Sequence, residues 1–159
     1  MRRNDRAVTD TSRIRQILDG CKTCRLAMVD CGRPYVVPLS FGYTLIDETL
    51  TLYFHSAAAG RKIRILRANN DVCFEISSEG STFFDETAPC TSGMFFSSVI
   101  GFGTALFVED ADEKCAALAL LMKRQTGAEI AFTAKQAGEV CVIKVVSNDF
   151  TGKMKLQSQ

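Results

Sequence analysis

The residues best suited to chemistry lie in one run, Tyr53-Phe54-His55-Ser56-Ala57-Ala58-Ala59-Gly60-Arg61-Lys62-Ile63. It reads as a strand end, a loop of small residues and a helix start bearing two adjacent cations. The first turn of a helix carries unpaired backbone N–H groups and a positive dipole end, which favour an anion. Arg61 can grip a phosphate with a two-pronged fork, Lys62 adds a point charge, and Ser56 offers a hydroxyl. Small residues at 57–60 let a ligand approach the main chain. The alternative is a solvated helix end, which must then explain why two cations oppose the dipole. Arg64, one turn along, is expected to stand apart from the anion site.

His55 is the only histidine. It could simply hydrogen-bond its neighbours at a strand end. Directly before the anion loop, it could also bind a ligand edge, relay a proton or ligate haem iron. Cys21-Lys22-Thr23-Cys24 is a lone Cys-x-x-Cys. A structural zinc needs four ligands, and no spacing requires Cys31 or Cys90 to complete a set. A redox disulfide is the second option, and two thiols at a helix-to-strand junction the plainest one. Phe83, Phe84, Phe95 and Phe96 form two aromatic pairs around a Ser/Thr-rich loop. They could line a flat-ring pocket or pack in a core or dimer interface. Gly101-Phe102-Gly103 lacks the third glycine of a dinucleotide fingerprint. There is no Walker A pattern, no His-Glu-x-x-His and no Gly-x-Ser-x-Gly.

The elements that must position these groups are mostly strands. Asp10 caps a short helix with Ile14, Ile17 and Leu18 inward, stopped by Gly20. Strands are expected at Arg25–Asp30, at Tyr35–Tyr43 with Pro38 marking an edge or bulge, and at Thr49–His55. In the last, Leu50, Leu52 and Phe54 alternate against Thr51, Tyr53 and His55. Asp30-Cys31-Gly32 and Ile46-Asp47-Glu48 read as turns. A helix over Arg61–Ala68 precedes a strand at Val72–Ser77, and Glu79–Ser92 reads as a long loop. Met94–Val108 reads as one long strand bent at Gly101 and Gly103. Asp110 caps a helix to about Gln125, with Gly127 beyond it. Val140–Val146 is the last strand. About six antiparallel strands with three peripheral helices point to a mainly β barrel or sheet.

The chain has 159 residues, 47% hydrophobic and 23% charged, and a net charge of +1. This is the size and composition of one globular domain, 1–159. No basic excess points to nucleic acid. The longest apolar run, Cys115–Met122, is far short of a membrane span. Met1-Arg2-Arg3 resembles a signal n-region, but the polar stretch Asn4–Gln16 follows it, so a cytoplasmic location is expected. Seven cysteines, an odd number lying mostly in apolar stretches, read as reduced thiols.

Taken in order, several blocks resemble the flavin-binding split-barrel proteins related to pyridoxamine 5'-phosphate oxidase. Within them the chain is most similar to the 5-nitroimidazole antibiotic resistance branch. The blocks are Met1-Arg2-Arg3 through Asp5-Arg6, Cys21–Leu26, Pro34–Tyr43, Phe54-His55-Ser56-Ala57 with Gly60–Ile63, Ser98–Gly103, and Thr151-Gly152-Lys153. The resemblance implies a split β-barrel homodimer with FMN at the subunit interface. FAD is the related flavin, and haem the alternative cofactor through His55. Val37, Pro38, Leu39 and Ser40 would line the isoalloxazine ring. His55, Ser56 and Ala57 would follow the ribityl chain, with His55 as the candidate catalytic group. Arg61 and Lys62 would hold the phosphate, and Ser98 and Val99 would approach from the partner subunit. Phe96 and Ser97 stand where the branch often has a tyrosine and a charged residue. The implied activity is oxidoreduction of a small-molecule electron acceptor, nitroimidazole-type or related, with NAD(P)H as a donor. A flavin-binding module without turnover is the other reading.

Overall fold

The computed structural model describes residues 4–155, so Met1-Arg2-Arg3 lies outside the described residues. The strands are β1 (Ala7–Val8), β2 (Thr23–Asp30), β3 (Arg33–Ser40), β4 (Gly42–Ile46), β5 (Thr49–Ser56), β6 (Asp71–Phe83), β7 (Gly93–Val108) and β8 (Cys141–Lys155). The helices are α1 (Thr11–Asp19), α2 (Arg61–Ala68), α3 (Ala111–Thr126) and α4 (Ala134–Gly138). All strands pair antiparallel in one sheet of order β3-β2-β6-β7-β8-β5-β4, with β1 also on β8. Eight strands thus replace the expected six, within the expected mainly β class.

Two tight hairpins rest on left-handed backbone. Cys31 and Gly32 (φ 50° and 82°) join β2 to β3, and Asp47 and Glu48 (φ 46° and 65°) join β4 to β5. Paired positive φ values match the right-handed twist of the flanking strands. The expected strand Tyr35–Tyr43 is two strands. Phe41 breaks it and turns fully into the core. β3 is the outermost strand beside β2. Pro34 and Pro38 lie four residues apart, so both missing N–H groups fall on the row facing away from β2.

The other corrections concern length. β6 continues to Phe83, so the expected loop from Glu79 begins five residues late. β8 continues past Val146 to Lys155. β6, β7 and β8 therefore form a three-stranded arm, with rows Ser77–Ser98–Lys153 and Glu79–Phe96–Lys155. The bend in β7 lies where expected, with a register shift against β8 between Phe102 and Thr104. A Cβ on Gly101 would sit 2.4 Å from the Phe74 ring and 2.6 Å from Phe150, so only glycine allows this approach.

Phe41, Phe54, Phe74, Leu26, Ile76, Val99 and Ile143 fill the interior of the sheet. A second cluster of Val108, Ala117, Leu118, Ala137 and Val142 lies under α3 and α4. Asp10 and Asp110 accept from the N–H groups of Arg13 and Glu113, and Gly127 (φ 79°) ends α3, all as expected. Arg124 ties α3 to the far side of the fold. Its side chain is 10% exposed, donates to Asp19 (3.0 Å) and to the Cys21 carbonyl (2.6 Å), and stacks on Phe41 and Tyr43.

Candidate functional site

The strand–loop–helix run folds as its sequence implies. Alternation puts Leu50, Leu52 and Phe54 in the core and leaves His55 exposed at the end of β5. Gly60, at φ 129°, then turns the chain into α2. No side chain caps α2 and no acid lies in its first turn, so its leading N–H groups face outward unpaired by any side chain. Ile63, Ile65 and Leu66 anchor the helix, which fixes where Arg61, Lys62 and Arg64 emerge.

The tip of the β2–β3 hairpin meets this helix. Arg61 Nε donates to Asp30 Oδ2 at 2.9 Å, and Arg64 Nη2 donates to both Asp30 oxygens at 3.0 and 2.8 Å. The Arg61 guanidinium also lies 4.3 Å above the Tyr35 ring. The two arginines hold the Asp30 carboxyl below the usual carboxylate range. Lys62 is half-buried beside Cys141, and desolvation pulls its ammonium below the ordinary lysine range. Two arginines thus share one carboxylate at an open helix end, with Lys62 between them in sequence, leaving a net positive site suited to an anion. Arg64 does not stand apart, since Asp30 couples it to Arg61. Asp30 and Tyr35 carried no sequence signal, because their contact with α2 spans about thirty residues. Only the hairpin turn hinted that something is presented there.

The remaining expected residues sort by strand parity. Val37 and Leu39 pack against the core, while Pro38 and Ser40 point outward from β3. Ser98 shares that outer face of the sheet, whereas Val99 is fully buried and can offer only backbone. Ser56 and Ala57 lie beside His55 at the mouth of the loop. Within one chain, Ser98 and His55 are not neighbours: His55 pairs with Val142 on β8, and Ser98 with Lys153, eleven residues further along that strand. The same outer face exposes Val29, Val36, Ile100 and Phe102, of which Val29 and Phe102 line a shallow groove of about 590 Å³ over β2, β6 and β7.

The cysteines are unbridged among the described residues. Cys21 and Cys24 are buried, and burial raises both thiol pKa values, which disfavours a thiolate for redox or metal chemistry. No group of three or more His, Cys, Asp or Glu side chains among the described residues could hold a metal ion. No helix there is long and apolar enough to cross a membrane.

Among curated proteins, none matches the chain. Among solved structures, a candidate 5-nitroimidazole antibiotic resistance protein from Bacteroides thetaiotaomicron is similar at 34% identity. It has a TM-score of 0.80, over 93% of this chain and 86% of that one. The flavocytochrome Anf3 from Azotobacter vinelandii shares the fold at 21% identity and TM-score 0.80, over 99% of this chain and 72% of that one. An FAD- and haem-binding protein from Mycobacterium smegmatis does so at 19% identity and TM-score 0.74, over 96% and 74%. The sequence pattern described as pyridoxamine 5'-phosphate oxidase matches residues 10–154, which carries β2 to β8, the Asp30 hairpin and the cationic start of α2. The chain therefore belongs to the pyridoxamine 5'-phosphate oxidase family.

Proposed function

We propose that the chain is a flavoprotein that binds FMN through its phosphate at the start of α2 and passes electrons to a small acceptor. The observation that carries this reading is the surplus of cations there: Arg61 and Arg64 both pair with the one carboxylate of Asp30, and the half-buried Lys62 stands beside them on the same helix turn. A phosphate with about two negative charges would neutralise that surplus and accept from the open N–H groups of α2.

When bound, the flavin supplies the two-electron redox chemistry, and the protein supplies placement and electrostatics. Arg61 keeps its two terminal nitrogens for the phosphate, because only Nε is engaged by Asp30. Tyr35 fixes the plane of the fork. Pro38 and Ser40 on the outer face of β3 and His55 at the end of β5 are exposed and would hold the rest of the flavin. His55 is exposed and can hold or release a proton at an imidazole nitrogen beside the bound ligand.

The site is proposed to be completed by a second copy of the chain. In support, Ser98 pairs with β8 eleven residues along from the partner of His55, at the other end of that strand. The outer face also exposes an apolar set, Val29, Val36, Ile100 and Phe102, that a homodimer would cover. Light scattering at micromolar concentration should give twice the chain mass, and a monomer would remove the shared site.

The absorbance spectrum of freshly purified protein tests the cofactor. A flavin doublet, with FMN released on denaturation, supports the proposal. A Soret band would favour haem held by His55 instead. A colourless protein that fails to bind added FMN would refute both.

A further inference from the structure

The stretch Thr151-Gly152-Lys153 lies outside the α2 site, at the opposite end of β8 from Val142. Gly152 faces inward: a Cβ there would lie 2.4 Å from Ile14 Cδ1 and 2.9 Å from Val8 Cβ. Lys153 therefore points to the outer face. It stands in the cross-strand row Ala7–Lys153–Ser98–Ser77. Val8, Gly152, Val99 and Ile76, the next residue on each strand, are all buried, so the whole row faces outward. Its other members are small, and the lysine rises from a low strip of the sheet with no bulky cross-strand neighbour.

The ammonium on that strip has a direction. Lys153 Nζ lies 5.4 Å from the ring centroid of Phe96, which shares the outward parity of Ser98 on β7. A ring face attracts an ammonium without neutralising it. Among the described residues, no carboxylate forms an ion pair with Lys153. Neighbouring strands run about 5 Å apart, so a ligand that touches Ser98 lies within reach of this side chain.

The proposed shared site sets Ser98 of one copy against the flavin of the other. The phosphate of that flavin already has Arg61 and Arg64. A flavin ring that takes up two electrons and one proton gains one negative charge, and Pro38, Ser40 and His55 supply no permanent cation to meet it. We infer that Lys153 of one copy meets the flavin ring bound to the other and favours its reduced state. The inference rests on the reading of a flavin site shared between two copies, and adds to it the group that sets how readily the flavin is reduced.

The test uses the full chain loaded with FMN, the Lys153→Met variant, and spectroelectrochemical titration of the bound flavin. The reduced form should lose at least about tenfold in relative stability, a fall of about 30 mV in the two-electron midpoint potential. Lys153→Arg keeps the charge and should restore most of the loss. Lys155→Met removes a like charge whose ammonium rests on Phe83 and Phe95, and should leave the potential unchanged. FMN and riboflavin affinities should respond alike to Lys153→Met. A loss confined to FMN would assign the lysine to the phosphate and overturn the inference.

A mixed dimer of one Arg61→Ala chain and one Lys153→Met chain, isolated through two different tags, checks the crossing between copies. Its tightly bound FMN should show the parent potential, because that site joins the intact α2 of one chain to the intact Lys153 of the other. The lowered potential there would place Lys153 on the flavin of its own chain and overturn the inference. An unchanged potential in Lys153→Met, in a dimer that still binds FMN, would also overturn it and leave the proposed function standing. A monomer, or a chain that binds neither flavin, would defeat the shared flavin site itself and this inference with it.

Discussion

Arg61→Ala separates phosphate recognition from every other contribution of α2. Its Nε is held by Asp30 and its plane by Tyr35, so the two terminal nitrogens are pre-aimed and little side-chain entropy remains to be lost on binding. Loss of a charge-assisted hydrogen bond typically costs about 1.5–3 kcal/mol. FMN affinity should therefore fall about 10- to 100-fold. Arg61→Lys should recover only part, because an ammonium cannot reproduce the fork. Asp30→Asn is the informative partner. Simple Coulomb repulsion predicts tighter FMN binding when a carboxylate near the phosphate is removed. The structure predicts weaker binding, because Arg61 and Arg64 lose the group that orients them. The assay is quenching of flavin fluorescence on titration, run in parallel with FMN and with riboflavin, which lacks the phosphate. Riboflavin affinity should barely change in any of the three variants. If Arg61→Ala weakens riboflavin and FMN equally, the residue acts through folding and the phosphate assignment is wrong. If Asp30→Asn tightens FMN, the positioning argument fails while the phosphate site survives.

Lys62 should make FMN binding pH-dependent. Its folded pKa lies below 10.5, so its charge is lost early as pH rises, and FMN affinity should fall below the ordinary lysine range while riboflavin affinity does not. For the flavin-free protein the sign reverses. Burial favours neutral Lys62, so stability should creep upward through the same window in denaturant titrations. Arg124→Ala should destabilise by about 2 kcal/mol in urea denaturation, through lost stacking and a freed Cys21 carbonyl, and Arg124→Lys should not restore the parent value. Gly101→Ala forces a methyl group against Phe74 and Phe150 and should cost at least about 1–3 kcal/mol in the same assay. Thiol titration under native conditions should label exposed Cys31 and Cys90 first and Cys21 and Cys24 last, with seven thiols found after denaturation without reductant.

The parts of the fold legible in the sequence are those set by local chemistry. Asp10, Asp110 and Gly127 mark helix ends, Cys31-Gly32 and Asp47-Glu48 mark hairpins, and the alternation of β5 fixes its inner face. The extensions of β6 and β8 were hidden because Ser77–Thr82 and Ser147–Asp149 are polar on both faces. Their strand character comes from pairing across the arm, not from a buried side. Phe41 broke an apparently continuous strand by turning into the core, where its ring meets Arg124, more than eighty residues away. The cationic half of the α2 site could be read from adjacent residues. Its counterpart, Asp30 with Tyr35, arrives from another hairpin, and no spacing rule connects the two.

The prolines of β3 have a consequence for how the protein behaves in a crowded solution. A sheet border with free N–H groups is a template on which other chains can stack. Residues 34, 36, 38 and 40 aim their backbone nitrogens away from β2, and two of those four nitrogens carry no hydrogen. An incoming strand would find an interrupted row of donors. Replacing Pro38 to probe a ligand pocket would thus also restore a donor on that border. A turbid Pro38→Ala preparation would report colloidal self-association rather than a lost cofactor contact.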